Sequence, residues 1–218
     1  NCYLLKKLDL SSFDTSNVTN MASMFRYCKA LTSLNLSSFN TSKITSMNAM
    51  FGDCESLTSL DLSSFDTSNV TSMRSTFQNC NSLISLDLSN FNTSKVTLME
   101  EMFRSCHSLT NLNLSGFDTS SVTSTWYMFR DCDKLTELDL SSFNTSKVTN
   151  MNSMFGNCTT LKTIYVSKLW DVSNVPSSDS IFYNCQLLVG AVSYDRTKTD
   201  KTMANYTTGY LTYKKNTN

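Results

Sequence analysis

A single histidine, His107, serves the whole chain, and Lys plus Arg equals Asp plus Glu at 18 each. With no net charge there is no field to gather nucleic acid or an acidic membrane surface, and both partner classes drop out. Long apolar runs are missing too. Stretches such as "LLVGAV" from Leu187 fall far short of the roughly 20 residues that a bilayer span needs. Proline occurs once, at Pro176, and the chain has no initiator methionine. The opening reads as mid-phrase, and the expectation is a piece of a longer precursor that continues upstream. At 40% hydrophobic and 17% charged residues, the 218-residue chain is too apolar for disorder and long enough for a sizeable core.

What is present is a repeat. Cysteines stand at 2, 28, 54, 80, 106, 132 and 158, each 26 residues from the last, and Cys185 follows after 27. The units align as C-x-x-L-x-x-L-[DN]-L-S-x-F-[DN]-T-S-x-[VI]-T-x-M-x-x-[MT]-F-x-x. One unit cannot bury so regular an apolar stripe alone, but stacked neighbours can, so the period predicts a solenoid. Within a unit, Leu60 and Leu62 flank Asp61 in strict alternation, which predicts a short strand in a parallel ladder. The polar "SSFDTSNVTS" predicts a turn held inward by Phe65 and Val70. Met47, Met50, Phe51 and Cys54 then fall at i, i+3, i+4 and i+7, which predicts a short helix capped by Ser46 or Thr45. The fold class expected is therefore an α/β repeat: a leucine-rich-repeat solenoid with a parallel β-sheet on one face and short helices on another. Seven coils fill residues 1–185, and the period is lost after Cys185. "VGAVSYD" and "GYLTYKK" read as β segments, so residues 186–218 are expected to form a β-rich C-terminal cap. No matching segment opens the chain, which should leave Leu5, Leu8 and Leu10 exposed.

The motif "LxxLxLSxFxTSxVTxMxxMFxxC" strongly resembles the BspA-like leucine-rich-repeat surface proteins of bacteria and some mucosal parasites. The resemblance covers residues 1–185 and extends into the closing "YDRTKTDKTMANYTTGYLTYK". It implies a secreted or wall-anchored protein at the cell surface, involved in adhesion, with no catalytic residues to carry over. No wall-sorting motif accompanies it here. Nine N-x-[ST] sequons, several in stacked positions where a glycan would block packing, suit a bacterial maker.

Chemistry finds few handles. Cysteine gaps of 26 and 27 with one histidine do not make zinc spacing, and no metal or other cofactor is expected. Neighbouring coils lie within the Cα range of a disulfide, yet each cysteine ends an inward apolar face and reads as a buried free thiol. His107 sits in a variable, exposed slot with no second histidine to act as a base. A polysaccharide lyase would need clustered acids and bases, and the carboxylates are dispersed in columns. Alternation of "DTSN" and "NTSK" down the chain places Asp14 near Lys43 and Asp66 between Lys43 and Lys95, a pattern that reads as charge pairing between coils.

What varies is the ridge after each Thr-x. Coils three to five gather Arg74, Glu100, Glu101, Arg104, Trp126, Tyr127 and Arg130 there, and aromatics with arginine are the usual anchors of protein interfaces. Two readings stay open for Trp126 and Tyr127: an exposed partner-binding patch, or rings folded over Thr125 to fill the space of a missing Met. The function expected is a non-enzymatic cell-surface recognition or adhesion module for a host or neighbouring-cell protein, extracellular and anchored outside this chain. A passive stalk and a carbohydrate-binding solenoid are the alternatives.

Overall fold

A computed structural model describes residues 2–175 and 180–215. Pro176, where the last coil departs from the motif, lies outside them. Each 26-residue unit makes one coil, and the coils stack in parallel register. Single bridges run from Asn20 to Ser46, Ser72, Leu98, Ser124 and Asn150. Elsewhere in the coils, β1 (Ser85–Asp87) pairs with β2 (Asn111–Asn113). β3 (Glu137–Leu140) pairs with β4 (Thr163–Val166), and β5 (Thr212–Tyr213) completes that sheet on β4. The Leu-x-Leu alternation faces the way the sequence predicts, with Leu60 and Leu62 buried and Asp61 exposed. Yet no strand is assigned at 34–36 or 60–62. The bonds leading into those segments are stretched, 3.3 Å from Thr58 N to Thr32 O and 3.4 Å from Ile84 N to Thr58 O. The next rung, Thr110 N to Ile84 O, is 2.9 Å.

The expected α/β class is corrected by the ridge. Among the described residues there is no α-helix, and the only helical turn is a 3-10 segment at Lys201–Met203. Met50 N bonds to Met47 O, Gly52 N to Ala49 O and Cys54 N to Phe51 O, so successive four-residue turns replace a helix. The residues between them donate outward, Ala49 N to Arg74 O at 2.8 Å and Phe51 N to Thr76 O at 2.9 Å on the next coil. A helix would consume those donors within itself, whereas here they join coils. Ala49 and Asp53 hold φ of 50° and 61°, and every complete coil repeats such a pair, from Ser23 and Tyr27 to Ser180 and Asn184. Left-handed residues four apart stop any α-helix. Met47, Met50, Phe51 and Cys54 are buried all the same, because the turns return the same residues to the interior.

The core is columnar. Phe25, Phe51, Phe77, Phe103, Phe129, Phe155 and Phe182 form one stack, with neighbouring centroids 5.6–5.8 Å apart and planes within 11°. That is offset stacking, the arrangement the ring quadrupole favours. The cysteines are all free, and all but Cys2 are buried. Each thiol from Cys54 onward points at the carbonyl of a phenylalanine on the coil before, as Cys80 Sγ does to Phe51 O at 3.2 Å. Threonines at 15, 41, 67, 93, 119 and 145 are buried and donate their hydroxyls to the next coil's backbone carbonyl.

Asp and Asn interchange on the surface because one oxygen does the same work in both. Asp14, Asn40, Asp66 and Asn92 each accept the amide of the serine two residues on, at 2.9–3.2 Å. The Asp–Lys attraction expected from the sequence acts at a distance: beside the hydrogen bonds of Ser16 and Ser68, the charge of Lys43 helps to hold Asp14 and that of Lys95 to hold Asp66 below the usual carboxylate range, while the lysines' hydrogen bonds go elsewhere. Lys43 donates to Asn17 Oδ1 at 2.9 Å and Lys95 to Asn69 Oδ1 at 2.8 Å, each at its own slot one coil earlier. Among the described residues no ion pair joins Asp14 or Asp66 to either lysine. A lysine reaches the same slot of the neighbouring coil more directly than the aspartate, which its own turn already engages.

The C-terminal segment meets the last coil with substitutes for a further coil. Tyr210 stands edge-on to Phe182 at 5.4 Å, closing the phenylalanine stack. Phe182 N bonds to Thr199 O and Asn184 N to the Tyr194 hydroxyl. Trp170 Nε1 donates to Ala204 O at 3.1 Å. Lys214 reaches Asp139 at 2.5 Å and lies over the Tyr165 ring. At the other end Leu10 is buried and Leu5 and Leu8 are half-buried, contrary to expectation. The large apolar side chains left open there are Tyr3, Leu4, Phe13 and Met24.

Candidate functional site

The ridge turns decide which variable side chains meet. A left-handed residue at positions 75, 101 and 127 swings the chain outward once per coil, so each coil offers its variable side chains at the same height. Stacking then brings all seven predicted residues into one network. Glu101 is its centre: it is buried, and its Oε2 accepts from Arg104 Nη1 at 2.8 Å and from Gln78 Nε2 at 2.9 Å. Arg74 approaches Glu101 at 3.8 Å and Glu100 at 3.6 Å. A carboxylate so buried needs such partners, since an uncompensated buried charge costs several kcal/mol.

Trp126 and Tyr127 stack on each other with centroids 4.3 Å apart. The guanidinium of Arg130 lies 4.7 Å from the Tyr127 centroid and that of Arg104 lies 5.2 Å from it, both cation–π contacts. Neither ring drops into the core. Thr125 fills the missing methionine's place itself, buried, with its hydroxyl 3.4 Å from Met154 Sδ, while both rings stay half-buried above it. Arg130 also pairs with Asp131 at 3.4 Å. Three guanidiniums thus face the carboxylates of Glu100, Glu101 and Asp131, and the patch is electrically balanced. Glu100 Oε2 and Arg130 Nε are buried and held by ion pairs alone, to Arg74 and Asp131, while Arg104 Nε is buried with no hydrogen-bond partner among the described residues.

Sequence reasoning missed Gln78 and Asp131. Both were open to it: Gln78 occupies the slot of Arg26, Arg104 and Arg130, one coil from Glu101, and Asp131 follows Arg130 directly. His107 Nδ1 lies 2.7 Å from Asp133 Oδ2 on the next coil. Lys29 and Glu55 occupy the same slots three coils earlier and pair at 2.6 Å, so this is a stacking contact of the ridge edge. Among the described residues no group of three or more His, Cys, Asp or Glu side chains is placed to hold a metal ion, and no helix is long and apolar enough to cross a membrane.

Burial fixes the thiol chemistry. Desolvation pushes the pKa values of Cys54, Cys106 and Cys185 up to about 12, and raises Cys80, Cys132 and Cys158 well above the ordinary thiol range. A column of protonated thiols is inert toward nucleophilic chemistry.

No curated protein matches the sequence. Among solved structures, a crystal structure of a leucine-rich repeat protein from Bacteroides ovatus ATCC 8483 is similar at 19% identity, with a TM-score of 0.34. The match covers 79% of this chain and 58% of that one, so the chain spans little more than half the length of this relative. A family described as "Mycoplasma protein of unknown function, DUF285" matches at residues 2–109 and again at 82–195, overlapping in the middle of the repeat array. The matched residues take in every one of the stacked coils, and the chain belongs to this DUF285 family.

Proposed function

We propose that the chain is a non-enzymatic recognition module and that the Trp126–Tyr127 ridge grips a protein partner at a cell surface. The observation that carries this is the stacked aromatic pair held between Arg104 and Arg130, beside a charge-balanced Arg–Glu network. Rigid half-buried aromatics ringed by guanidiniums are what interface hot spots are made of. Side chains already locked by stacking lose little further freedom on binding, which favours affinity. The balance of charges suits a protein surface better than a polyanion. The motif's resemblance to BspA-like surface proteins supports an extracellular, adhesive role.

The test is adhesion of the purified chain to immobilised matrix proteins and mucin, compared with the Trp126→Ala, Tyr127→Ala double variant. Saturable binding by the parent that the double variant loses by tenfold or more, a hot-spot effect of about 1.4 kcal/mol or larger, supports the reading. Equal binding by both moves the partner elsewhere, and no binding by the parent favours a passive stalk.

A further inference from the structure

A second site lies where the repeat array meets its C-terminal segment. In the earlier coils the amide at the second left-handed position bonds to the next coil, as Asp131 N does to Gly156 O and Asn157 N to Tyr183 O. Asn184 has no such coil beyond it and turns to the Tyr194 hydroxyl at 3.1 Å instead. This substitution seals the core but leaves the ridge corner uncovered. A recess of about 560 Å³ remains, lined by Tyr183, Asn184, Gln186, Tyr194 and Arg196. That volume falls in the range of small-molecule sites.

The lining is chemically one-sided. Among the described residues it carries no carboxylate, and the Arg196 guanidinium makes no hydrogen bond or ion pair there, its one electrostatic neighbour being Asp195, whose carboxyl the Thr197 hydrogen bonds, helped by Arg196, hold below the usual range. The nearest acid in sequence, Asp195, is turned into its own loop, where one oxygen accepts from Thr197 N at 2.9 Å and Thr197 Oγ1 at 2.7 Å. Tyr183 offers an exposed ring, 53% accessible, at the edge of the recess. Gln186 spends one Nε2 proton on Asn184 Oδ1 at 2.6 Å, leaving its carbonyl and other proton for a guest. Burial raises the Tyr194 phenol above its ordinary pKa, so its O–H remains a donor while its oxygen accepts from Asn184.

From this inventory we infer that the recess binds a carboxylated sugar, a uronic-acid type of pyranose. The Tyr183 ring would lie against the sugar's C–H face, and the Gln186 amide and Tyr194 phenol would meet ring hydroxyls. Arg196 would take the carboxylate in the bidentate geometry that guanidinium and carboxylate share. A neutral sugar leaves Arg196 idle, and a bare carboxylate leaves the tyrosine ring idle, so only the combination uses the whole lining. The recess shares no residue with the Trp126–Tyr127 ridge and stands or falls apart from it.

Saturation-transfer NMR on the intact chain tests this with methyl glucuronide, methyl glucoside and acetate as probes. The expected result is transfer to the ring protons of the glucuronide, with affinity about tenfold above that for the glucoside, in line with a charge-assisted bidentate pair. Arg196→Gln should erase that preference while leaving glucoside binding unchanged, and Tyr183→Ala should weaken both sugars. Both side chains are exposed, and neither packs in the core. Equal binding of glucuronide and glucoside, acetate competing as well as the glucuronide, a preference that survives Arg196→Gln, or no transfer at all would each overturn the inference.

Discussion

The hydroxyl of Thr41 holds Asp66 on the next coil by both ends of its peptide group, donating to Asp66 O at 3.1 Å and accepting from Asp66 N at 2.8 Å. One buried side chain therefore replaces two ladder bonds at a corner where the chain turns too sharply for a strand. Thr15, Thr93, Thr119 and Thr145 make the same double contact, and this fixes the register of the whole stack.

Thr41→Val keeps the shape and strands both Asp66 groups. The loss should be about 1–3 kcal/mol, the cost of leaving buried polar groups unmade. Differential scanning calorimetry gives the size, and hydrogen exchange should show the Asp66 amide losing protection first. A change within a few tenths of a kcal/mol would mean that water replaces the hydroxyl.

The buried thiols make two linked predictions. A thiol reagent should modify only the exposed Cys2 rapidly in the native chain and all eight cysteines in denaturant. Fewer than eight in denaturant would mean that disulfides form. Burial raises the folded pKa values above the unfolded one, to about 12 for Cys54, Cys106 and Cys185. Stability from these groups is complete below the unfolded thiol pKa near about 8.5, and is lost as pH rises toward the folded values. Alkaline unfolding that shifts upward in a Cys106→Ala variant checks the sign.

Carboxylates set the acid limb. Hydrogen bonds from Ser68, through its side chain and then its backbone amide, hold Asp66 below its usual range, and Ser16 does the same for Asp14. A depressed folded pKa adds stability above the unfolded value, near about pH 4, that fades as pH falls through the folded one. Asp66→Asn keeps the accepting oxygen, as Asn40 and Asn92 do in the same column. It should melt like the parent at pH 7 and more shallowly with acid. A large loss at pH 7 would show that the charge itself matters there.

Much of this was legible and some was not, for definite reasons. The 26-residue period, the Leu, Phe, Val, Met and Cys columns and the ridge residues around Trp126 all follow from the sequence, because burial and stacking act at fixed spacing. The helix did not follow, because consecutive four-residue turns place Met47, Met50, Phe51 and Cys54 on one side as a helix does. Left-handed φ would have told them apart. Its first slot holds Ser23, Ala49, Ser75, Glu101 and Tyr127, residues that do not advertise it. The second slot holds Asp53, Asn79, Asp131, Asn157 and Asn184, residues that tolerate that conformation best, beside Tyr27 and Ser105, and the Asp/Asn majority of that column was the readable clue.

Ser105 turns that clue into an experiment whose sign separates turn from helix. It sits at φ 58°, half-buried, and its amide donates to Arg130 O at 2.8 Å. In a helix interior, exchanging serine for glycine lowers stability, since glycine gives up the most backbone freedom on folding. At a left-handed position the balance reverses. Relief of roughly 1–2 kcal/mol of steric strain outweighs an entropy cost of about 0.5–1 kcal/mol. Ser105→Gly should therefore raise stability by up to about 1 kcal/mol, whereas Ser105→Val, β-branched at positive φ, should lower it by about 1 kcal/mol or more. Urea titrations of the two variants against the parent decide the matter, and a destabilised glycine variant would argue for a helical ridge.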